Sequence, residues 1–205
     1  GTTDGLINAT IRAQVQGYLI KRNYNEGDFV KKGQVLFEID PRTFRATVDE
    51  AKGQLAQWEA RWQTAKANLN RIKPLAEQNA VSKKDLDDAI GSEQSTYASV
   101  LSARAALERA ELNLGFTKVT SLIDGIAGIA KAQIGDLVGP GQLEELTTVS
   151  TVNPIKVYIS ASEQEYLKAA ETHFDAEKLS LEMVLTDGKI FPHRGKLILA
   201  DRQID

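Results

Sequence analysis

Few side chains in this sequence could carry out chemistry. It contains no cysteine, one methionine and two histidines, His173 and His193. That set supplies no thiolate and too few ligands for a metal site. The glycines around Gly125 and Gly135 do not open a helix, and no hydrolase or zinc-helix motif occurs, so phosphate-loop and hydrolytic chemistry are not expected. We therefore expect no enzymatic activity, no cofactor and no bound metal.

Composition narrows the possible partners. The 205 residues include 25 basic and 28 acidic side chains, for a formal net charge of −3, and no basic run occurs. Nucleic acid binding requires a clustered basic surface, so nucleic acid is not expected as a partner. No apolar run is long enough for a membrane span, whereas 42% hydrophobic residues suffice for a buried core.

A long helix is predicted to follow Pro41. Its apolar residues recur at alternating steps of three and four, which is the heptad seam of a coiled coil. The seam consists of Phe44, Val48, Ala51, Leu55, Trp58, Trp62, Ala65, Leu69 and Ile72. The two tryptophans are expected to pack within this seam, and contact between neighbouring rods is the alternative. Pro74 is expected to end the helix about a turn early.

A second helix is predicted to begin at Ser82, with Asp85 completing a capping box. Its apolar register is less regular, because Glu93 occupies a position where the heptad requires an apolar residue. The remaining apolar positions are Leu86, Ile90, Tyr97, Val100, Leu107 and Leu114, beside a face formed by Ala103, Ala106 and Ala110. Two helices of this length with a short connection must run antiparallel, as a thin rod.

The segments on either side of the rod are strand-like and repeat each other. Apolar residues alternate from Ile11 to Leu19 and again from Val119 to Ala127, which predicts strands with one buried face. A shift of 108 aligns six identical residues in a G-D-x-V-x-x-G-Q frame. Its glycines are interpreted as turn residues: Gly17, Gly27, Gly33, Gly125, Gly135 and Gly141. Each half is too small to bury its own apolar face, so the halves should pair as one two-fold β-sandwich.

The fold class is therefore multidomain α+β. We expect the sandwich at residues 9–40 and 115–150, divided by a coiled-coil hairpin at 41–114. Residues 1–8 and 151–205 should form part of a further β domain. There, a strand is predicted over 154–159, a short helix over 162–170, and a hairpin turn at Asp187-Gly188.

The repeated turns resemble the biotinyl/lipoyl carrier domain, although the tripeptide that presents the modified lysine is absent. A lipoyl-like sandwich divided by a helical hairpin and followed by a β-barrel resembles the periplasmic adaptors, or membrane fusion proteins, of the HlyD-like family. Adaptors of resistance-nodulation-division (RND) efflux pumps are the most similar, on Gly17–Asn23, Ile39-Asp40-Pro41 and Thr117–Ser121. The resemblance implies a partial β-barrel for residues 1–8 and 151–205.

The same resemblance implies the partners. Such an adaptor is periplasmic, is attached to the inner membrane and connects an RND transporter to an outer-membrane TolC-like channel. It acts as a homo-oligomer, a hexamer or a trimer of dimers. Family members carry Arg, Leu and Ser at the rod tip for docking on the channel, and these fall on Arg71, Leu75 and Ser82. From residue type alone, a purely structural interpretation remains open: Arg71 as a surface arginine, Leu75 as a leucine that closes the tip, and Ser82 as a helix N-cap.

Two other functions remain open from the sequence. An adaptor of an ATP-driven exporter would share the same modules. A carrier domain of a biotin- or lipoyl-dependent enzyme would share the sandwich but would bear an adduct on a lysine.

Overall fold

The computed structural model describes residues 2–141, 145–158, 180–185 and 188–196. The chain divides into a larger unit, Thr3–Lys156, and a smaller one that contains Thr2 and the described residues from Val157 onward. The elements, in chain order, are β1 (Thr2–Gly5), β2 (Asn8–Arg12), β3 (Gly17–Arg22), β4 (Phe29–Val30), β5 (Val35–Ile39), α1 (Arg42–Glu77), α2 (Lys83–Gly115), β6 (Lys118–Thr120), β7 (Gly125–Ala127), β8 (Leu137–Val138), β9 (Glu145–Ser150), β10 (Ile155–Tyr158), β11 (Ser180–Leu181) and β12 (Gly195–Lys196).

Two four-stranded sheets form the β part of the larger unit. Their strand orders are β2-β9-β7-β4 and β6-β5-β3-β8. Replacing each strand by its counterpart in the other repeat (β2 with β6, β3 with β7, β4 with β8, β5 with β9) converts the first order into the second. Each sheet therefore combines strands from both repeats, which confirms that the two halves pair with each other.

Hydrogen bonds between the halves show the same symmetry. The Gly27 N–H donates to the Ala127 carbonyl, and the Gly135 N–H donates to the Leu19 carbonyl, both at 2.8 Å. The two bonds are equivalent under the 108-residue shift, because Gly27 corresponds to Gly135 and Leu19 corresponds to Ala127. One core lies between the sheets, and its most buried apolar side chains are Ile11, Leu19, Val30, Leu36, Phe37, Ile39, Val138, Leu146 and Val149.

The strand predicted from Ile11 to Leu19 is not continuous. β2 ends at Arg12 and β3 begins at Gly17, and the two strands belong to different sheets. Ala13 and Val15, between them, are nevertheless buried. The chain crosses here from one sheet to the other, so alternate side chains still face the core although the ladder of hydrogen bonds is interrupted. The segment from Val119 to Ala127 divides in the same way into β6 and β7.

The two helices lie between β5 and β6. At 1.5 Å per residue, α1 and α2 are about 54 and 50 Å long. Trp62 of α1 lies level with Glu93 and Tyr97, whereas the earlier Glu59 pairs with the later Arg104. The helices are therefore antiparallel and form a hairpin.

The remaining strands lie outside the sandwich. β1 and β10 form a two-stranded sheet, and in the smaller unit β11 pairs antiparallel with β12. The chain between β11 and β12 turns back on itself, with a bridge between Val184 and Ile190 and a positive φ of 80° at Gly188. This confirms the predicted turn at Gly188. Asp187, Ile159 and the helix predicted over 162–170 lie outside the described residues.

Candidate functional site

The free end of the hairpin is a short turn that is stabilised by backbone hydrogen bonds. Asn79 has a positive φ of 55°, and its N–H donates to the Ala76 carbonyl at 3.0 Å. The next residue, Ala80, donates to the Leu75 carbonyl at 2.8 Å. These two bonds, with a left-handed residue just past the last turn, form a Schellman motif. Asparagine is one of the few non-glycine residues that adopts this conformation readily.

The second helix begins with a capping box, as predicted. The Asp85 N–H donates to Ser82 Oγ at 3.1 Å, and the Ser82 N–H donates to Asp85 Oδ2 at 3.1 Å. The Ser82 hydroxyl also donates to Asp85 Oδ2 at 2.6 Å. These bonds stabilise the charged carboxylate, so the pKa of Asp85 lies below its ordinary value. Both sides of the tip are therefore held by hydrogen bonds.

The three tip residues lie together at this end of the rod. Arg71 and Leu75 are one helical turn apart near the end of α1, and Ser82 is the N-cap of α2. All three are exposed, Leu75 to 42% of its surface. Within the described part of the chain, Arg71 forms no ion pair. The tip thus presents a free guanidinium, an apolar side chain and a hydroxyl to the outside.

The prediction that Pro74 ends the first helix early is wrong. α1 continues to Glu77 with Pro74 inside it. A proline removes the bond to the carbonyl four residues earlier, and its ring crowds that carbonyl, which can bend a helix without ending it. Because the helix ends three residues after Pro74, a bend at the proline would affect only the final turn. The helix ends where Asn79 adopts a positive φ.

The predicted seam of α1 follows the line of lowest exposure. Each of its nine positions is buried or half-buried, and Val48 is fully buried. Phe44, at the base, also packs against the sandwich core. Leu55 and Leu69 are half-buried on either side of the two tryptophans along the helix.

The two tryptophans contact neighbours within the hairpin. Trp62 lies 5.2 Å from the Tyr97 ring, measured between centroids, and the Lys66 ammonium lies over it at 4.8 Å. The Arg61 guanidinium lies 4.7 Å from the centre of the Trp58 ring. The contacts of Trp62 with Tyr97 and Glu93 of α2 favour packing within the hairpin for this side chain, whereas the contact of Trp58 with Arg61 lies on its own helix.

The seam of α2 agrees with the sequence prediction at Leu86, Val100, Leu107 and Leu114 and differs elsewhere. The least exposed positions are Leu86, Ala89, Glu93, Thr96, Val100, Ala103, Leu107, Ala110 and Leu114. Tyr97, assigned to the apolar register, is 44% exposed, and Ala89 rather than Ile90 is buried. The α2 seam thus mixes small side chains with leucines and a valine. Glu93 belongs to the seam because its Oε1 accepts a hydrogen bond from Trp62 Nε1 at 2.6 Å.

The six glycines of the repeat have two different roles. Gly27, Gly33, Gly135 and Gly141 have positive φ angles between 79° and 100°, as turn glycines require. Gly17 and Gly125 instead begin β3 and β7, so their interpretation as turn residues is wrong. A Cβ on Gly125 would lie 2.3 Å from the Ser150 carbonyl oxygen, and one on Gly17 would lie 2.6 Å from Ile39 Cγ2. Close approach of neighbouring chain segments requires glycine at both positions.

Beyond the tip, the described residues form no metal centre. No group of three or more His, Asp or Glu side chains among them could hold a metal ion. His193 packs edge-on against Phe191, and His173 lies outside the described residues. None of the described helices has a stretch apolar enough to cross a membrane.

Comparison with known proteins identifies the family. The profile of the RND MFP barrel-sandwich hybrid domain matches residues 8–150, the range from the start of β2 to the end of β9. The chain therefore belongs to the RND membrane fusion protein family. This range contains both four-stranded sheets and the whole hairpin.

Individual relatives agree with this assignment. Multidrug export protein AcrE of Escherichia coli (strain K12) is 35% identical over 100% of this chain and 55% of its own length. Multidrug efflux pump subunit AcrA of the same strain is 36% identical over 100% of this chain and 53% of its own length. The chain thus spans about half the length of these curated relatives. The crystal structure of a MacA-MexA chimeric protein containing the Pseudomonas aeruginosa MexA alpha-hairpin domain superposes with a TM-score of 0.68, at 26% identity, over 98% of this chain and 66% of that one.

Proposed function

We propose that this chain is the rod-and-sandwich part of a periplasmic adaptor for the export of drugs or other small molecules. The adaptor connects an inner-membrane RND transporter to an outer-membrane TolC-like channel and catalyses no reaction. Its mechanism is geometric: the hairpin reaches the channel while the β domains remain with the pump. Several copies, six or three pairs, surround a common axis, because one thin rod cannot enclose a duct.

The observation that carries this proposal is the position of the hairpin. It extends about 50 Å from the gap between β5 and β6 and ends in a hydrogen-bonded tip. The side chains of the two helices pack against each other along the seam, so the rod needs no globular core around it for stability. The exposed set of Arg71, Leu75 and Ser82 is the docking site in this proposal.

The domain organisation follows from the same assignment. Residues 9–40 and 115–150 form the lipoyl-like sandwich, 41–114 the hairpin, and 1–8 with 151–205 a partial β-barrel near the pump. The protein acts in the periplasm, attached to the inner membrane. The matching RND profile favours an RND transporter over an ATP-driven exporter.

A carrier function is disfavoured by the same geometry. The hairpin occupies the place between the sandwich halves where a carrier presents its lysine. Intact mass measurement distinguishes the two functions, since a biotin or lipoyl adduct would contradict the adaptor proposal.

The proposal is tested by reversing the charge at the tip. Arg71→Asp in the full-length protein should make cells as drug-susceptible as cells without the protein, while the protein level stays unchanged. Arg45→Asp is the matched control, because Arg45 is an exposed arginine at the base of the same helix. Normal export by the Arg71 variant would contradict docking through this residue.

A further inference from the structure

A cleft lies between the base of α2 and the edge of the sandwich. Its volume is about 620 Å³, within the range of about 300–1,000 Å³ that is typical of sites for small molecules. One side is formed by β2 and β6, the outermost strands of the two sheets, which contact each other there. The other side is formed by the last two turns of α2. The cleft thus lies entirely within the larger unit.

The lining of the cleft is largely apolar and reaches the surface. Ile11 and Val119, which are buried in the sandwich core, contribute to it. Leu112, Phe116 and Leu122 contribute as well, and their side chains are 54%, 37% and 57% exposed. Three large apolar side chains around one concavity are a contact surface for an apolar group, because a ligand that covered them would remove apolar area from water.

A glycine adds to the space. Gly115 lines the cleft at the end of α2, and a Cβ there would meet no atom within 4 Å. Its φ is not positive, so no left-handed turn requires glycine at this position. A larger side chain would therefore take up part of the cleft without straining the backbone.

The charged side chains of the lining are divided between its two sides. Glu108 and Glu111 belong to α2, whereas Arg12 and Lys118 belong to the strands. Arg12 lies opposite Glu145 in the β2–β9 register and interacts with it electrostatically. The side chains of Glu108, Glu111 and Lys118 form no hydrogen bond or ion pair within the described residues. These three groups are therefore available to a ligand.

The α2 side of the cleft favours positive charge. A helix carries a partial negative charge at its C-terminus, and the last turn of α2 contains no basic residue to offset it. Glu108 and Glu111 add two carboxylates near this end. At about 100° per residue they share an arc of about 100° with Leu112 and Gly115. The carboxylates thus lie on the same face of the helix as part of the apolar lining.

We propose that this cleft binds a small amphiphilic cation. The apolar body of the ligand lies against Leu112, Phe116 and Leu122. Its positive group lies beside the carboxylates of Glu108 and Glu111. This inference goes beyond the proposed function, because it concerns a ligand of the chain itself and is independent of docking on a channel.

Photoaffinity labelling of the purified full-length protein tests the site. The probe is para-benzoylbenzyl trimethylammonium, a benzophenone with a fixed positive charge, and para-benzoylbenzoate is the matched anion. The cationic probe should saturably label the tryptic peptide 110–118, which contains Leu112 and Phe116. The anion should label this peptide about 5-fold less at the same concentration. Equal labelling by the two probes would overturn the charge preference, and labelling without saturation would overturn the site.

Two variants separate the charge of the cleft from its shape. Glu108→Gln combined with Glu111→Gln should lower labelling by the cation about 2- to 20-fold and leave labelling by the anion unchanged. Glu50→Gln is the control, because Glu50 is an exposed glutamate of α1 that does not line the cleft. Gly115→Leu should lower labelling by both probes. Undiminished labelling in either cleft variant, with the helical circular dichroism of the parent protein, would overturn the inference.

Competition and dilution identify the occupant. An exported organic cation and the ammonium headgroup of a membrane lipid share the proposed chemistry, so tetraphenylphosphonium and lysophosphatidylethanolamine are compared as competitors of the cationic probe. Protection by either one supports the inference and indicates the source of the ligand, whereas protection by neither contradicts it. Labelling that rises as the protein is diluted would mean that a second copy of the chain occupies the cleft, and this result would also overturn the inference.

Discussion

Trp62 and Glu93 are joined across the hairpin by a 2.6 Å hydrogen bond from the indole Nε1 to Oε1 of the carboxylate. The bond connects a large seam residue of α1 to the one acidic residue in the seam of α2. A half-buried indole N–H without an acceptor would cost free energy, so the glutamate is part of the packing rather than a defect in it.

Replacing Glu93 therefore tests the seam. Glu93→Ala should lower the free energy of unfolding by about 1–2 kcal/mol, because it leaves the Trp62 donor without its partner. Glu93→Gln should cost less, since the amide oxygen still accepts. Urea denaturation followed by tryptophan fluorescence measures both free energies of unfolding. Equal losses of stability in the two variants would show that Glu93 is not needed as a hydrogen-bond acceptor.

Two glycines should respond to alanine in opposite ways. Gly125→Ala should destabilise the sandwich by about 1–3 kcal/mol or more, because its Cβ would collide with the Ser150 backbone. Gly53→Ala, where a Cβ meets nothing, should stabilise the protein by about 0.5–1 kcal/mol. Thermal denaturation of the two variants beside the parent protein measures the difference. A tolerated Gly125→Ala would contradict the close approach of β7 and β9.

The turn at the tip should depend on Asn79. Asn79→Val should destabilise the hairpin by about 1–2 kcal/mol, because a β-branched residue resists positive φ. Asn79→Gly should be neutral or slightly stabilising. Helical circular dichroism during urea denaturation tests this, and a valine variant as stable as the glycine variant would exclude the left-handed turn.

The base of the hairpin should be sensitive to acid. The side chain of Arg42, and then its backbone N–H, donate to the Asp40 carboxylate and lower its pKa from 3.8 to about 2. Because the folded-state pKa is below the unfolded value, this contribution to stability is present above pH 3.8 and is lost as the pH falls through about 2. Carboxyl NMR titration should give a pKa near 2, and Arg42→Ala should return it towards 3.8. An unchanged value in that variant would contradict the pairing.

Patterns that depend on apolar side chains could be predicted from the sequence. The heptad of α1 coincides with its line of low exposure because all of its seam residues are apolar and most are large. The seam of α2 was predicted only in part: Leu86, Val100, Leu107 and Leu114 lie in it, whereas Ala89 and Thr96 give little apolar signal and were missed. The acceptor role of Glu93 depends on Trp62, 31 residues earlier in the chain.

The glycines illustrate a second limit. The repeat identified the positions where glycine matters, and four of them have the positive φ that turns require. At Gly17 and Gly125 the reason is a neighbouring strand that approaches too closely for a Cβ. A sequence alone does not distinguish these causes, because both select the same residue.

Capture from the tip of the rod tests the central claim most directly. Gln78 is the better site, because its backbone is ordinary whereas Asn79 requires positive φ. A photo-cross-linker on Gln78→Cys in the full-length protein, in intact cells, should capture an outer-membrane channel, and Gln54→Cys, in the half of α1 nearer the sandwich, should not. Recovery of cytosolic enzyme subunits, or of no outer-membrane protein at normal expression, would contradict the adaptor function.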